Sequence, residues 1–290
     1  MAAVDTNRGA IQLPVDVSNE IIQRTQEQSA IMQLARKMTL PGRGLAIPVI
    51  TADPEAGWVN ETEEKPVSKA TLNTKIIQPY TLAVIVPFSN QFKRDLEGLY
   101  EAIIARLPGV LGQKFDATVI RPASGKPGDN FDTLGGAVAV DLKADPYNAL
   151  VTAKTNIATA GGIMNGIALS PQGEGVLLAA KDGNNRPLFT PDLSSAATGK
   201  LLGAATYTTK GAYVAGNPEG KNTVGIAGDW THAVYGTVAG VEISISDQAS
   251  LTIGGQQINL WQRNMFAVRA EIEVGFRAEL DKFNLLTATA

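Results

Sequence analysis

Residues 266–280 read FAVRAEIEVGFRAEL. Phe266, Val268, Ala270, Ile272, Val274, Phe276, Ala278 and Leu280 form one series. Ala267, Arg269, Glu271, Glu273, Gly275, Arg277 and Glu279 form the other. A period of two places each series on its own face of a β-strand. At about 3.3 Å per residue the stretch would extend roughly 50 Å, whereas ordinary strands hold about 5–6 residues. A strand of this length suits an extended plate. Its polar face carries both signs of charge, which fits a surface that pairs with further copies of the chain. Arg269, Glu271, Glu273 and Arg277 are therefore candidate inter-subunit groups. Exposed ion pairs contribute only about 0–1 kcal/mol each, so such groups set register and partner choice.

Outward from this strand, Val241–Ile245 and Thr223–Ala227 read as further strands, with Asp229 capping a short helix through Val234. Phe283–Leu286 follows the long strand. Ile76–Phe88 predicts a strand apolar on both faces, with Leu82, Val84, Val86 and Phe88 on one side and Ala83 and Ile85 on the other, as in a covered part of a sheet. Ser89 or Asn90 then caps a helix with Phe92, Leu96, Leu99, Ile103, Leu107, Leu111, Phe115 and Val119 at helical spacing. Pro108 removes one backbone bond, so a bent or two-piece helix is expected. Asp145-Pro146 predicts a capped helix carrying Tyr147, Leu150, Val151, Lys154 and Ile157, ended by Gly161-Gly162. At the front, residues 1–17 read as an extended arm. Ser18 begins a helix to about Met38, Pro41 to Gly44 stop it, and Leu45–Ile50 is a short strand.

Residues 51–75, TADPEAGWVNETEEKPVSKATLNTK, are polar around Trp58, Val59, Val67 and Leu72. A connection this long inside a domain is functional or disordered. Val59–Glu63 and Ala70–Lys75 could pair as a hairpin, which would need a surface to lie on, such as a neighbouring subunit. A solvated loop is the other reading. Trp58, Glu61, Glu63, Glu64, Lys65 and Lys69 are the contact candidates here.

Composition excludes several functions. The chain has 290 residues, 44% of them hydrophobic, with net charge −3 and no cysteine. A core is possible, while thiol catalysis, disulfides and zinc-thiolate sites are excluded. The near-neutral charge argues against a strongly basic nucleic-acid binder. No apolar run reaches membrane-span length, and Met1–Val17 lacks the layout of a signal peptide. His232 is the single histidine and has no evident nucleophile beside it. Gly216–Asn222 only approaches a phosphate loop, with its glycine spacing one residue short and Asn222 at the Ser/Thr position. No catalytic, cofactor or metal residue is assigned.

Gly57-Trp58-Val59-Asn60-Glu61 with Lys65-Pro66, Pro87-Phe88-Ser89 through Leu96, and Asn264-Met265-Phe266-Ala267-Val268-Arg269 come in an order and spacing that resembles the major capsid proteins of tailed bacteriophages, the Hong Kong 97 fold. The resemblance covers roughly residues 20–285. It implies an α+β fold with an N-terminal arm (1–30) and an extended β-hairpin loop (51–75). A peripheral domain with a long spine helix and long β-strands would comprise 31–50, 76–122 and 228–280. A mixed α/β axial domain would comprise 123–227, with the tail 281–290. It further implies no cofactor and no catalysis, and self-assembly through pentamers and hexamers into an icosahedral head. That head would enclose double-stranded DNA without sequence specificity, helped by separate scaffolding, portal and decoration proteins, with no membrane. The implied location is the virion, after assembly in the host cytoplasm. Some relatives join a loop lysine to a peripheral asparagine with help from a glutamate. Lys65, Lys69 or Lys75, with Asn264 and Glu271, are the corresponding candidates. An encapsulin-like compartment shell, a soluble hydrolase centred on His232 and a tail-tube subunit are the alternatives.

Overall fold

The computed structural model describes residues 29–52, 56–62, 64, 65, 67, 71–95, 97–122, 125–143, 145–181, 186, 189, 199–216 and 221–289. The Ser29 hydroxyl accepts from the Met32 amide and caps α1 (Ala30–Leu34). Strand β1 (Arg36–Thr39) follows at once. The expected helix to Met38 is corrected here, and its residues 18–28 lie outside the described ones. Ala35 is already extended, and residues 36–39 gain a strand partner that outweighs their weak helical spacing.

β2 (Leu45–Ala52) and β3 (Thr71–Ile77) pair antiparallel with each other, from Leu45–Ile77 outward to Ala52–Thr71. The hairpin therefore begins earlier than residues 51–75 suggest. Residues 59–62 form no strand, and the partner of the second arm is 45–52. β2 is rich in aliphatic and β-branched residues, whereas 56–62 are dominated by Gly and polar groups.

β4 (Tyr80–Ser89) leads into α2 (Asn90–Asp95) and α3 (Glu97–Ile120). The Ser89 hydroxyl accepts from the Phe92 amide, as a cap should. Pro108 does not divide α3, which runs through it. Proline removes only one ladder bond, and the buried stripe Leu107, Leu111, Phe115 and Val119 continues across it onto the sheet. β5 (Val138–Asp141) precedes α4 (Pro146–Thr159), whose cap Asp145 accepts from the Asn148 amide. The buried face of α4 is Ala149, Leu150, Ala153 and Ile157, while Tyr147 and Val151 are exposed. Then come β6 (Gly166–Leu169), α5 (Pro171–Leu178), β7 (Gly199–Leu201), β8 (Ala204–Thr208) and β9 (Lys221–Gly228). Asp229 caps only a single 3₁₀ turn, Trp230–His232, before β10 (Ala233–Thr237). β11 (Glu242–Ser246), the β12–β13 hairpin (Ser250–Ile253, Gln256–Asn259), β14 (Met265–Ala278) and β15 (Phe283–Thr289) complete the chain.

β14 organises the first sheet. β4 pairs along one edge from Ser89–Met265 to Tyr80–Val274. The other edge is shared end to end by β11 and β10, and β1 lies parallel outside β10. The apolar face packs on α3: Phe276 meets Phe115 and Phe131 with ring centroids 6.1 Å apart, and Phe266 stacks on Phe88 at 5.7 Å. The opposite face is open. Ile85 is 48% exposed there, opposite Arg269, so β4 is covered on one side only. The second sheet has the order β5-β15-β9-β6-β8-β7, with a core that includes Leu142, Leu150, Ile157, Ile167 and Leu286. The chain crosses between the sheets three times, after β4 by way of α2 and α3, after β9 and after β14. The last two crossings are joined by the Asp229 amide to Lys282 carbonyl bond (3.0 Å) and by Trp230 against Phe283 (5.1 Å).

Candidate functional site

β2 and β3 pair as a hairpin, but nothing in the described residues covers it along its length. Leu45, Ala46, Pro48, Asn73, Thr74 and Ile76 are all exposed. Beyond the strands, Trp58 is 105% exposed and Val67 88%. Removing such groups from water is worth about 25 cal/mol per Å², and this surface is left unclaimed. A large exposed apolar group on a projecting arm marks an interaction surface. Glu61, Glu64 and Lys65 are exposed around Trp58. Glu63 and Lys69 lie outside the described residues.

The charged face of β14 divides in two. Arg269 and Glu273 face solvent; the Arg269 Nη2 contacts Glu271 Oε1 at 3.1 Å and its Nε donates to the Ser244 hydroxyl at 3.1 Å. Arg277 is different. It donates to the Ile76 carbonyl (2.7 Å), Asp132 Oδ1 (2.7 Å) and Asn130 Oδ1 (2.9 Å), with its side chain only 13% exposed. Expected at a subunit contact, Arg277 is instead used inside its own chain. Its partners lie about 145 and 200 residues away in sequence, too far for any local pattern to reveal.

The residues considered for a covalent join are also placed. Lys75 donates to the Ala278 carbonyl at 3.3 Å and sits 4.0 Å from Asp132, so its amine is engaged at the hairpin base. Lys65 is exposed. Asn264, in a left-handed turn, accepts from the Asn90 side chain at 2.7 Å. Glu271 is seven residues along an extended strand, roughly 23 Å away. Glu271 and Asn264 of one chain are therefore too far apart to act together.

One buried charge went unnoticed in the sequence. Asp116, fully buried on α3, accepts from the Ser29 hydroxyl (2.6 Å), the Ala30 amide (3.1 Å) and the Ile31 amide (3.4 Å). It anchors the point where the N-terminal segment reaches the body. Burial pushes its carboxyl up to about 6, partly offset by the donors from Ser29, Thr209, Ala30 and Ile31. Its position beside Phe115 in an apolar stripe was the available signal.

Among the described residues no catalytic arrangement forms around His232. Its Nδ1 lies 3.1 Å from Glu279 Oε2 at the sheet crossover. Neighbouring Asp229 accepts from the Ile163 amide, the Asn165 side chain and Thr231. Burial would raise the Asp229 pKa, but the bonds from Thr231 and Ile163 and the charge of His232 outweigh it and hold the carboxyl below its ordinary value. A cavity of about 640 Å³ lies instead between the start of α4 and the end of α5, among Lys143, Asp145, Tyr147, Val176 and Lys181. Among the described residues no cluster of three metal-ligating side chains occurs, and no helix is long and apolar enough to cross a membrane.

Comparison with known proteins agrees with this geometry. Residues 9–282 match the family model described as the phage capsid family. The probable major capsid protein gp17 of Mycobacterium phage L5 is 28% identical over 298 residues, covering 95% of this chain and 89% of that protein. A solved structure from Gordonia phage Cozz superposes with a TM-score of 0.72 at 21% identity, over 91% of this chain and 87% of that one. The capsid of a native GTA particle, computed with C5 symmetry, gives 0.61 at 14% identity over 91% of each.

Proposed function

This chain belongs to the phage capsid family, and from that premise we propose that it is the major capsid protein of a tailed double-stranded DNA bacteriophage. Copies assemble through pentamers and hexamers into an icosahedral head around the genome. Its role is structural. The observation that carries this reading is the β2–β3 hairpin: a paired, partly apolar arm that leaves the body and, among the described residues, has no layer of its own beneath it. In a shell the missing layer is the next subunit, and a modest contact repeated around a closed assembly becomes strong through avidity.

Within this reading the arm is 1–30 and the extended loop includes 51–75, with Trp58, Glu61, Glu63, Glu64, Lys65 and Lys69 toward the neighbour. The peripheral part comprises 31–50, 76–122 and 228–280, and the axial part 123–227 with 281–290. Arg269, Glu271 and Glu273 fix register between copies. Scaffolding, portal and decoration proteins act as separate chains, and assembly takes place in the host cytoplasm before the protein resides in the virion. Electron microscopy of the purified chain tests the reading. Closed icosahedral shells are expected, and tubes or small soluble oligomers would overturn it. A covalent bond between Lys65 or Lys69 and Asn264 would form by attack of the neutral amine on the amide carbon, with release of ammonia. Boiled particles run in SDS decide that point, since a single 30.5 kDa band excludes it.

A further inference from the structure

The base of the hairpin is fastened residue by residue to the end of β14. The Lys75 amine donates to the Ala278 carbonyl, and the Ile76 carbonyl accepts from Arg277 Nε. Gln78 crosses directly over Gly275, where an added Cβ would stand 2.6 Å from the Gln78 oxygen and 3.0 Å from Ile77 Cγ1. On the other arm Gly44 has φ +82, and an added Cβ would stand 2.5 Å from the Ile77 oxygen. A third segment closes the joint. The Asn130 side chain donates to Gln78 Oε1 (3.1 Å), its amide donates to the Tyr80 hydroxyl (3.1 Å), and Asp132 accepts from both Arg277 and the Ala278 amide. The Arg277 guanidinium, carried on β14, bonds both the hairpin at Ile76 and the turn at Asn130 and Asp132.

We infer that the Arg277–Asp132 clamp presets the angle at which the hairpin leaves the body, so that the free subunit already holds its arm aimed. If, as proposed above, the hairpin docks on the next subunit, the clamp makes docking a meeting of ordered surfaces. Without it, each docking event must also order the arm, which weakens binding and slows it. Arg277 is thus a positioning residue. It acts through Ile76. A planar fork with several fixed donors suits this task, whereas a lysine could hold only part of the set.

The test is hydrogen–deuterium exchange on the full-length, unassembled chain, comparing wild type with Arg277→Lys, Arg277→Met and Asp132→Asn. Amides of Thr71–Ile77 are expected to exchange roughly tenfold faster or more in Arg277→Met, less so in Asp132→Asn, with Arg277→Lys between wild type and Arg277→Met. Exchange in β14 and β9 stays unchanged. The same variants should assemble more slowly and need a higher subunit concentration. Unchanged hairpin exchange in both Arg277→Met and Asp132→Asn would overturn the clamp. So would a loss of the whole fold in both, which would make the joint a global support and not an aiming device. Failure of the wild type to form shells would refute the assembly reading while leaving the exchange result standing.

Discussion

β14 and the β2–β3 hairpin are both extended and partly apolar, yet they end in opposite environments. β14 has strands on both edges and α3 against its apolar face, so Phe276 is fully buried among Phe115 and Phe131. Among the described residues the hairpin strands pair only with each other, and Ile76 is 47% exposed and Leu45 39%. The first is stabilised by its own chain. The second is ordered by hydrogen bonds within the pair and by its root, and its apolar surface waits for a partner. One element is about folding, the other about assembly, and substitutions should separate them.

The largest effect should come from replacing residues 53–70 with a short Gly-Ser link. Shell formation should vanish in electron micrographs while the melting temperature of the subunit changes little. Phe276→Ala should do the reverse, costing about 3–5 kcal/mol of subunit stability in urea unfolding. Ile76→Ala should cost under about 1 kcal/mol there, because half its surface is already wet.

Asp116 sharpens the contrast through pH. Its folded-state pKa, about 6, lies above the ordinary 3.8. The folded chain therefore binds this proton more tightly, and the site is most stable below pH 3.8. That stability is lost as pH rises through 6. Relative to Asp116→Asn, wild type should lose about 2 kcal/mol between pH 4 and pH 7, read as the change in the gap between their unfolding free energies in urea. The hairpin, lacking such a group in its described part, should show no matching change in amide protection factors, which are taken relative to the intrinsic rate at each pH. Trp58→Ala should give the smallest effect on the fold, within about 0.5 kcal/mol, while raising the concentration needed for assembly.

What could be read from the sequence follows the same division. β14, α3 and the Asp145 cap were legible because each is a local, repeated signal backed by burial. β1 was not, since Arg36–Thr39 has no period of its own and is a strand only because β10 lies beside it. The β12–β13 hairpin was missed although Gly254-Gly255 between alternating residues is a turn signal. α5 was missed although Ser170-Pro171 repeats the capping logic of Asp145-Pro146. At the site, the exposure of Trp58 was legible from its polar surroundings. The capture of Arg277 by Asp132 and Ile76 was not, because long-range pairing leaves no trace in local composition.

The central claim is that the hairpin's missing layer is another copy of the chain. A high-resolution reconstruction of particles grown from the purified protein measures this directly. The expected map shows residues 45–77 of each subunit lying across its neighbour, with Trp58 covered there. A chain that stays a 30.5 kDa monomer at every concentration, with residues 45–77 folded onto its own sheet, would contradict it.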